Sequence, residues 1–277
     1  MRYIKRFFIV LLLLIMCVSL TACEDKNSNK TDTESTLDYL NNRKTNQNSS
    51  NGESGEVKET GNFMLDVKNM TSEQALEKAA KQMEMPKTGE QIAIFHVKDF
   101  GDIKVKFFEN VAPKAVENFV THAKEGYYNG VTFHRVMNEF MIQGGDPLGN
   151  GRGGESIWGK GFDEELSTDV LPYRGALCMA SSGFGTSSLG SQFYIVQAHY
   201  NSSREAYMQY YGLTNLIEAW KTYGGDLANL VGYGQYTTFG QVFEGMDVVD
   251  AIAQVETNSS DKPLSDVIIE SIEITTY

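Results

Sequence analysis

The residues best suited to chemistry lie in one run, Phe133 to Asp146. Arg135 supplies a charged hydrogen-bond donor, Gln143 a carboxamide, and Phe140 and Met141 apolar surface. Such groups can hold a substrate and favour a change in its charge distribution, but none of them is a nucleophile. Taken singly, Arg135 is typical of a solvated surface charge, and the two apolar residues are typical of a core. Their role therefore depends on the sequence around them.

Other motifs give weaker support for chemistry. The segment Gly149–Gly154 fits G-x-G-x-x-G, but it follows no clear strand and opens no helix, which predicts a flexible surface loop instead of a dinucleotide site. The four histidines show no metal-ligand spacing, and no Ser-His-Asp triad can be argued, so neither a metal nor a cofactor is expected. The adjacent carboxylates Glu164 and Glu165 are expected on a solvated edge.

The run Phe133–Asp146 resembles the most diagnostic segment of the cyclophilins, a family of peptidyl-prolyl cis/trans isomerases. The resemblance extends over about residues 91–277, except for an insertion near 199–232. Further matches stand in the same order: Ala112-Pro113 with Asn118-Phe119, Gly126-Tyr127-Tyr128, Ser156-Ile157-Trp158-Gly159, Gly190-Ser191-Gln192-Phe193-Tyr194-Ile195 and Thr238-Phe239-Gly240-Gln241-Val242.

The resemblance implies a reaction that needs no nucleophile, metal or proton transfer. An X-Pro bond rotates over a barrier of about 18–20 kcal/mol because the amide loses its resonance as it twists. Arg135 matches the family's catalytic arginine, and Gln143 matches the residue that orients this arginine and meets the substrate backbone. Phe140, Met141 and Tyr194 match the pocket for the proline ring. The remaining substrate-binding positions implied by the resemblance are Ala180, Ser181, Gln192 and Tyr236.

Two of these positions depart from the family pattern. Ser181 stands where the family has a substrate-binding Asn, and Tyr236 stands where it usually has a His. Both departures affect the expected peptide preference more than the isomerase reaction.

The elements that position these residues are mainly β. Short strands are predicted at 91–97, 103–108, 131–136, 140–143, 176–180, 192–196, 237–243 and 267–275, with helices only at about 113–124 and 246–254. Such a pattern favours a barrel or a sandwich. The family resemblance narrows it to a closed eight-stranded antiparallel barrel capped by two helices.

The insertion near 199–232 is rich in tyrosine, and the spacing of Leu213, Ile217 and Trp220 predicts one or two short helices. It is expected to border the proline pocket, because it lies between Tyr194 and Tyr236. A cover over the barrel surface and a functional lid both remain open.

Composition narrows the class of protein further. The chain has 277 residues and a formal net charge of −12, which argues against binding to nucleic acid. Only three cysteines are present, and Cys178 lies in an apolar run that predicts a small buried residue. A monomer is expected.

The N-terminus predicts export. Basic residues precede an apolar stretch, Phe7–Val18, that is too short to span a bilayer as a mature helix, so residues 1–22 are interpreted as a signal peptide. The ending Leu20-Thr21-Ala22-Cys23 resembles a bacterial lipobox, which predicts lipidation of Cys23. Ordinary signal cleavage is the alternative. Residues 23–88 are interpreted as a polar tether with a short helix near 72–84, opened by a capping box at Thr71–Gln74.

Together these features predict a lipid-anchored, extracytoplasmic isomerase domain over residues 89–277. Its partners would be proline-containing segments of exported proteins and, through the lipid anchor, the outer face of the cytoplasmic membrane. One alternative is a non-catalytic peptide-binding chaperone module. Another is a solute-binding lipoprotein, which would need a two-lobed α/β pattern that the sequence lacks.

Overall fold

The computed structural model describes residues 62–181, 188–227, 230 and 236–277. The predicted signal peptide, the predicted lipidation site at Cys23 and most of the predicted polar tether lie outside these residues. Within the described part of the chain, no helix is both long and apolar enough to cross a membrane.

Two helices precede the sheet. Helix α1 (Phe63–Asn69) is capped by the side chain of Asn62, which accepts from the N–H of Leu65. Helix α2 (Ser72–Gln82) begins with the predicted capping box, in which Thr71 and Gln74 each accept from the other's backbone N–H. Helix α1 was not predicted, because it is too short to show a clear period.

Eight antiparallel strands form one sheet in the order β3-β4-β6-β5-β7-β2-β1-β8. The predicted positions agree with the observed strands to within a few residues. The strands are β1 (Gln91–Val97), β2 (Gly101–Phe107), β3 (Arg135–Met137), β4 (Met141–Gly144), β5 (Ala176–Ser181), β6 (Leu189–Val196), β7 (Thr238–Glu244) and β8 (Ile269–Thr276).

The sheet curves into an open half-barrel, so the prediction of a closed barrel is wrong. Strands β3 and β8 are its two edges. The segment that precedes β3 is hydrogen-bonded to the chain around the start of β8: the N–H groups of Gly130 and Phe133 donate to the carbonyls of Ile269 and Val267, and the Ile269 N–H donates to Val131. The free edge of β3 meets a loop instead, since Val136 N–H donates to the carbonyl of Asp261 at 2.8 Å. Strand β3 has only three residues and forms no ladder with β8.

Two helices pack on the sheet, as predicted. Helix α3 (Pro113–Lys124) buries Phe119 and helix α6 (Met246–Ala253) buries Ile252 in the main core. Proline at the first turn favours the start of α3, but Ala112 offers no side-chain cap. The Glu165 carboxylate accepts from the first N–H groups of α3 instead, at 3.1 and 2.9 Å, so the expected solvated edge is a helix cap.

The insertion between β6 and β7 contains helices α4 (Glu205–Tyr210) and α5 (Ile217–Tyr223), each preceded by a short 3₁₀ turn. Its apolar residues form a second core with α1 and α2. Trp220, Leu213 and Leu216 are almost fully buried there against Val67 and Ala79. Helices α1 and α2 are therefore packed on the insertion. The sequence alone did not indicate whether the predicted N-terminal helix would pack on the domain.

Side-chain hydrogen bonds join these parts. Asn215 of the insertion donates to the carbonyls of Val67 and Met70 at the end of α1. Gln82 at the end of α2 donates to the Leu171 carbonyl, and its oxygen accepts from the Leu171 N–H, both at 2.9 Å. Because Gln82 is 2% exposed, these bonds form where water does not compete.

Candidate active site

Strands β4, β5 and β6 carry a second apolar cluster on the face of the sheet opposite to the main core. Side chains alternate along a strand, so Ile142 and Ile195 enter the main core while Met141 and Tyr194 point to the opposite face. Three more of the predicted site residues, Phe140, Ala180 and Tyr236, pack against this second apolar cluster.

The strand register aligns the predicted site residues. Arg135 of β3 is paired directly with Gln143 of β4, Gln143 with Tyr194 of β6, and Tyr194 with Cys178 of β5. Directly paired residues of an antiparallel ladder present their side chains on one face. One row across four strands therefore holds a guanidinium, a carboxamide and an aromatic ring.

This row lies in a groove of about 1040 Å³, which we call the proline groove. Eight of the nine predicted catalytic and substrate-binding residues line it, and Gln192 contacts it through Gln143. The lining residues that were predicted are Arg135, Phe140, Met141, Gln143, Ala180, Ser181, Tyr194 and Tyr236.

Arg135 is fixed at the side of the groove and remains accessible. Its Nη2 donates to Met137 Sδ at 3.1 Å, and its Nε lies 3.6 Å from a carboxylate oxygen of Asp261. The guanidinium carbon is 6.0 Å from the centroid of the Phe140 ring. The side chain is 42% exposed, so donors remain free to meet a ligand above Phe140.

A chain of amides orients Gln143. Its Nε2 donates to Gln192 Oε1 at 2.9 Å, and Gln192 Nε2 donates to the carbonyl of Gly153 at 2.7 Å. The two bonds fix both carboxamides and connect the groove to the glycine-rich segment 149–154. Ser181, the other predicted polar residue on this side, shares a 2.7 Å hydrogen bond with Ser188.

The glycine-rich segment is organised around a carboxylate and is not a free loop. Asp146 accepts from the N–H groups of Leu148, Asn150 and Gly151 at 2.7–3.0 Å. Burial raises the pKa of Asp146, but these backbone donors lower it more, and the net pKa is below its usual range. The backbone N–H groups of the segment thus bind an internal carboxylate, and the prediction of a flexible loop is wrong.

The floor of the groove contains two aromatic rings. Tyr194 and Tyr236 meet edge to face, with ring centroids 5.5 Å apart. Burial raises the pKa of the Tyr194 phenol well above its usual value. Beneath the row, Cys178 is fully buried as predicted, and burial raises the pKa of its thiol to about 12. These groups stay neutral and can only pack or share hydrogen bonds.

Sequence reasoning missed Gln197, which holds the turn that carries Phe140. Glu139 has a φ of +56°, a conformation that costs energy for a residue other than glycine. Gln197 Oε1 accepts from the Glu139 N–H at 2.8 Å, and the Gln197 N–H donates to the carbonyl of Phe140 at 2.9 Å. Gln197 Nε2 in turn donates to Asp250 at 2.9 Å. No motif signals this role, because the partners are distant in sequence.

His134, next to Arg135, also lines the groove and was not predicted as a site residue. It is 6% exposed, and neither ring nitrogen has a hydrogen-bond partner among the described residues. Burial lowers the pKa of its imidazole from 6.5, with Lys262 and Arg135 acting in the same direction and Asp146 opposing them. A neutral ring here adds no second positive charge beside Arg135.

Comparison with known proteins agrees with this geometry. The family model for "Cyclophilin type peptidyl-prolyl cis-trans isomerase/CLD" matches residues 92–274. A Staphylococcus saprophyticus protein, by its name a peptidyl-prolyl cis-trans isomerase, is 45% identical over 192 residues, covering 67% of this chain and 93% of that protein. A relative of the same name from Staphylococcus aureus is 43% identical over 196 residues, covering 67% and 92%.

Solved structures give the same result. The crystal structure of a Cryptosporidium parvum cyclophilin type peptidyl-prolyl cis-trans isomerase matches with a TM-score of 0.55 and 32% identity, covering 68% of this chain and 99% of that one. A crystal structure of that isomerase in the presence of the dipeptide Ala-Pro matches with a TM-score of 0.54 and 31% identity, covering 67% and 99%.

The chain therefore belongs to the cyclophilin-type peptidyl-prolyl cis-trans isomerases. Residues 62–91, which contain α1 and α2, lie outside the matched family segment.

Proposed function

We propose that this isomerase acts on proline-containing segments of exported proteins and that Arg135 is its catalytic residue. As the X-Pro bond twists, the prolyl nitrogen loses conjugation and its lone pair becomes localised. A guanidinium N–H directed at that nitrogen stabilises the twisted state more than the planar one, which lowers the barrier. Gln143 orients the arginine and hydrogen-bonds the substrate backbone.

The observation that carries this proposal is the position of Arg135 beside the apolar floor. Its guanidinium carbon lies 6.0 Å from the centroid of the Phe140 ring, and Met141, Tyr194 and Tyr236 complete the floor of the same groove. A donor at the edge of an apolar pocket is what the twisting amide requires. Ala180, Ser181 and Gln192 extend the binding surface on the β5 and β6 side. A neighbouring cyclophilin structure was obtained in the presence of Ala-Pro, which supports a proline-containing substrate.

Substitution of Arg135 tests the mechanism. A hydrogen bond from a charged group contributes about 1.5–3 kcal/mol, so Arg135→Ala is expected to slow isomerisation of a proline peptide roughly 10–150-fold. Arg135→Lys should restore only part of the rate, because an ammonium group lacks the planar fork. Thermal midpoints of both variants control for folding. An undiminished rate in a folded Arg135→Ala protein would refute this role.

The proposed location rests on the N-terminal sequence. We propose that Cys23 is lipidated and that the chain is held at the outer face of the cytoplasmic membrane, where it assists folding of exported proteins. Acyl chains anchor a protein by about 0.8 kcal/mol per buried methylene group.

Fractionation of cells tests the anchor. Wild-type protein is expected in the membrane fraction, whereas Cys23→Ala should be released or left unprocessed. Ser19→Ala, a substitution in the same leader, serves as the matched control and should leave membrane association intact. Equal membrane association of the Cys23→Ala protein would contradict lipid anchoring.

A further inference from the structure

The proline groove extends beyond the pocket onto the insertion. Besides the predicted site residues, its lining includes Asn201, Arg204, Trp220 and Asp226, all from the insertion, which the family resemblance does not cover. A peptide bound through its proline would therefore reach this side with the residues that flank the proline.

This part of the groove is rigid. Trp220 is 1% exposed, meets Tyr200 edge to face, and donates from its ring nitrogen to the Gly225 carbonyl at 2.8 Å. Gly225 N–H donates to the carbonyl of Ala198 at the end of β6, also at 2.8 Å. Asp226 N–H donates to the Pro172 carbonyl at 2.9 Å. The backbone around Asp226 is thus held from both sides.

Asp226 and Arg204 form an asymmetric ion pair in the groove. Arg204 Nη1 lies 3.1 Å from Asp226 Oδ1; the Asp226 side chain is 7% exposed, and that of Arg204 is 46% exposed. A buried carboxylate needs a cation beside it, so Asp226 fixes the position of the guanidinium. The guanidinium has five N–H donors, and Asp226 engages one of its nitrogens.

Arg204 is the one arginine or lysine that the described part of the insertion contributes to the groove lining, and Lys262, which is exposed, lines the groove as well. Glu139 Oε1 and His199 Nδ1 share a 3.0 Å hydrogen bond, and both side chains remain half-exposed. Arg135 lies across the groove in the proline pocket. Asp226 lines the groove together with Tyr194 and Tyr236, the aromatic residues of its floor.

We propose that Arg204, held by Asp226, is a specificity-determining residue that binds the carboxylate of an acidic side chain close to the proline in the substrate. The proposal rests on the proposed isomerase site, because the peptide must first seat its proline beside Arg135. Arg204 offers paired donors that match the two oxygens of a carboxylate. A neutral or basic residue at the same substrate position gains nothing from this contact.

Peptides that differ only in one charge test the proposal. A fixed proline peptide carries Glu, Gln or Lys in turn at each of the positions flanking the proline, and kcat/KM is measured for each with the full chain. At one position wild type is expected to prefer Glu over Gln about 2- to 5-fold, the range for a partly exposed ion pair. The preference should shrink in 0.5 M NaCl, because salt screens exposed charges.

Variants of Arg204 test whether this residue causes the preference for Glu over Gln. Arg204→Gln should reduce the Glu to Gln ratio to about one. The single variant leaves Asp226 buried without its cation. The double variant R204Q/D226N therefore repeats the test in a protein from which that buried negative charge has also been removed. Lys221→Gln is the matched control: it removes one positive charge from α5, outside the groove lining, and should preserve the ratio.

Two outcomes would overturn the proposal while leaving the isomerase mechanism in place. One is an equal kcat/KM for the Glu and Gln peptides at every position that flanks the proline, while Arg135→Ala still slows the reaction. The other is a Glu preference that persists in the double variant. Isomerase activity that is the same in wild type and in Arg135→Ala would instead contradict the proposed site itself.

Discussion

Gln143 on β4 and Gln192 on β6 are joined by a 2.9 Å hydrogen bond, although they are not directly paired in the strand register. Gln192 then donates to Gly153, so a single side chain connects the row of Arg135, Gln143 and Tyr194 to the segment wrapped around Asp146. Gln192 therefore serves as a positioning residue for Gln143.

Two substitutions of Gln192 separate its two hydrogen bonds. Gln192→Leu removes both, and a neutral hydrogen bond contributes about 0.5–1.5 kcal/mol, so kcat/KM is expected to fall roughly 2- to 12-fold. Gln192→Glu keeps an acceptor for Gln143 but loses the donor to Gly153, and should retain more activity than the leucine variant. Equal losses in both variants, with unchanged thermal midpoints, would show that the bond to Gln143 has no role.

The glycine at the end of the insertion should tolerate no side chain. A Cβ on Gly225 would lie 2.5 Å from the Pro172 carbonyl oxygen and 2.5 Å from Tyr173 Cα, at a φ of +111°. Gly225→Ala is expected to lower the thermal midpoint more than Gly212→Ala, which has a φ of +72° and open space around its Cβ. Both variants carry the conformational cost of about 1–2 kcal/mol, and only Gly225→Ala adds a steric clash. Similar midpoints would contradict the tight contact between the insertion and the Pro172–Tyr173 backbone.

The N-terminal helices should contribute to domain stability. Gln82→Ala leaves the Leu171 N–H and carbonyl without their buried partner, at a cost of about 1–3 kcal/mol for each unsatisfied group. The thermal midpoint is then expected to fall by several degrees, at roughly 2–4 °C per kcal/mol for a domain of this size. Lys81→Ala, at an exposed position of the same helix, is the control. Equal midpoints for the two variants would show that α2 stabilises nothing.

Stability should decrease in mild acid because of His134. Its folded-state pKa is lowered by burial from 6.5, so below about pH 6.5 the unfolded chain binds a proton that the folded chain excludes. The free energy of unfolding, measured with urea between pH 7.5 and 5.5, is therefore expected to fall as the pH falls. His134→Gln should reduce this slope without abolishing it, because burial also lowers the pKa of His122. An unchanged slope in the His134→Gln protein would rule out this titration.

Local patterns were enough to predict most of the elements. The strand at Gln91–Val97 and the helix starting at Pro113 follow from periodicity, turn residues and capping, which act within a few residues of chain. The choice of Arg135 and Gln143 as site residues came from the family resemblance, and the structure pairs them directly across β3 and β4. The proximity of Tyr194 and Tyr236 to that row came from the family resemblance.

The features that sequence reasoning missed depend on residues far apart in the chain. Glu165 caps a helix about fifty positions earlier, and Gln197 holds a turn in the preceding β-hairpin. At the open edge of the sheet, β3 is hydrogen-bonded to the loop at Asp261 and not to strand β8. None of these contacts leaves a periodic or local signal, since each is fixed only when the sheet has folded.

The burial of Cys178 has a consequence for redox chemistry. Disulfide exchange requires a thiolate, and with a pKa of about 12 only roughly one Cys178 thiol in 10⁵ is ionised at pH 7. Cys178 is the one cysteine among the described residues, and it has no exposed surface through which an oxidant could reach it. Thiol–disulfide exchange is therefore not expected at this face of the sheet, and glutathione in either form should leave the turnover of the protein unchanged.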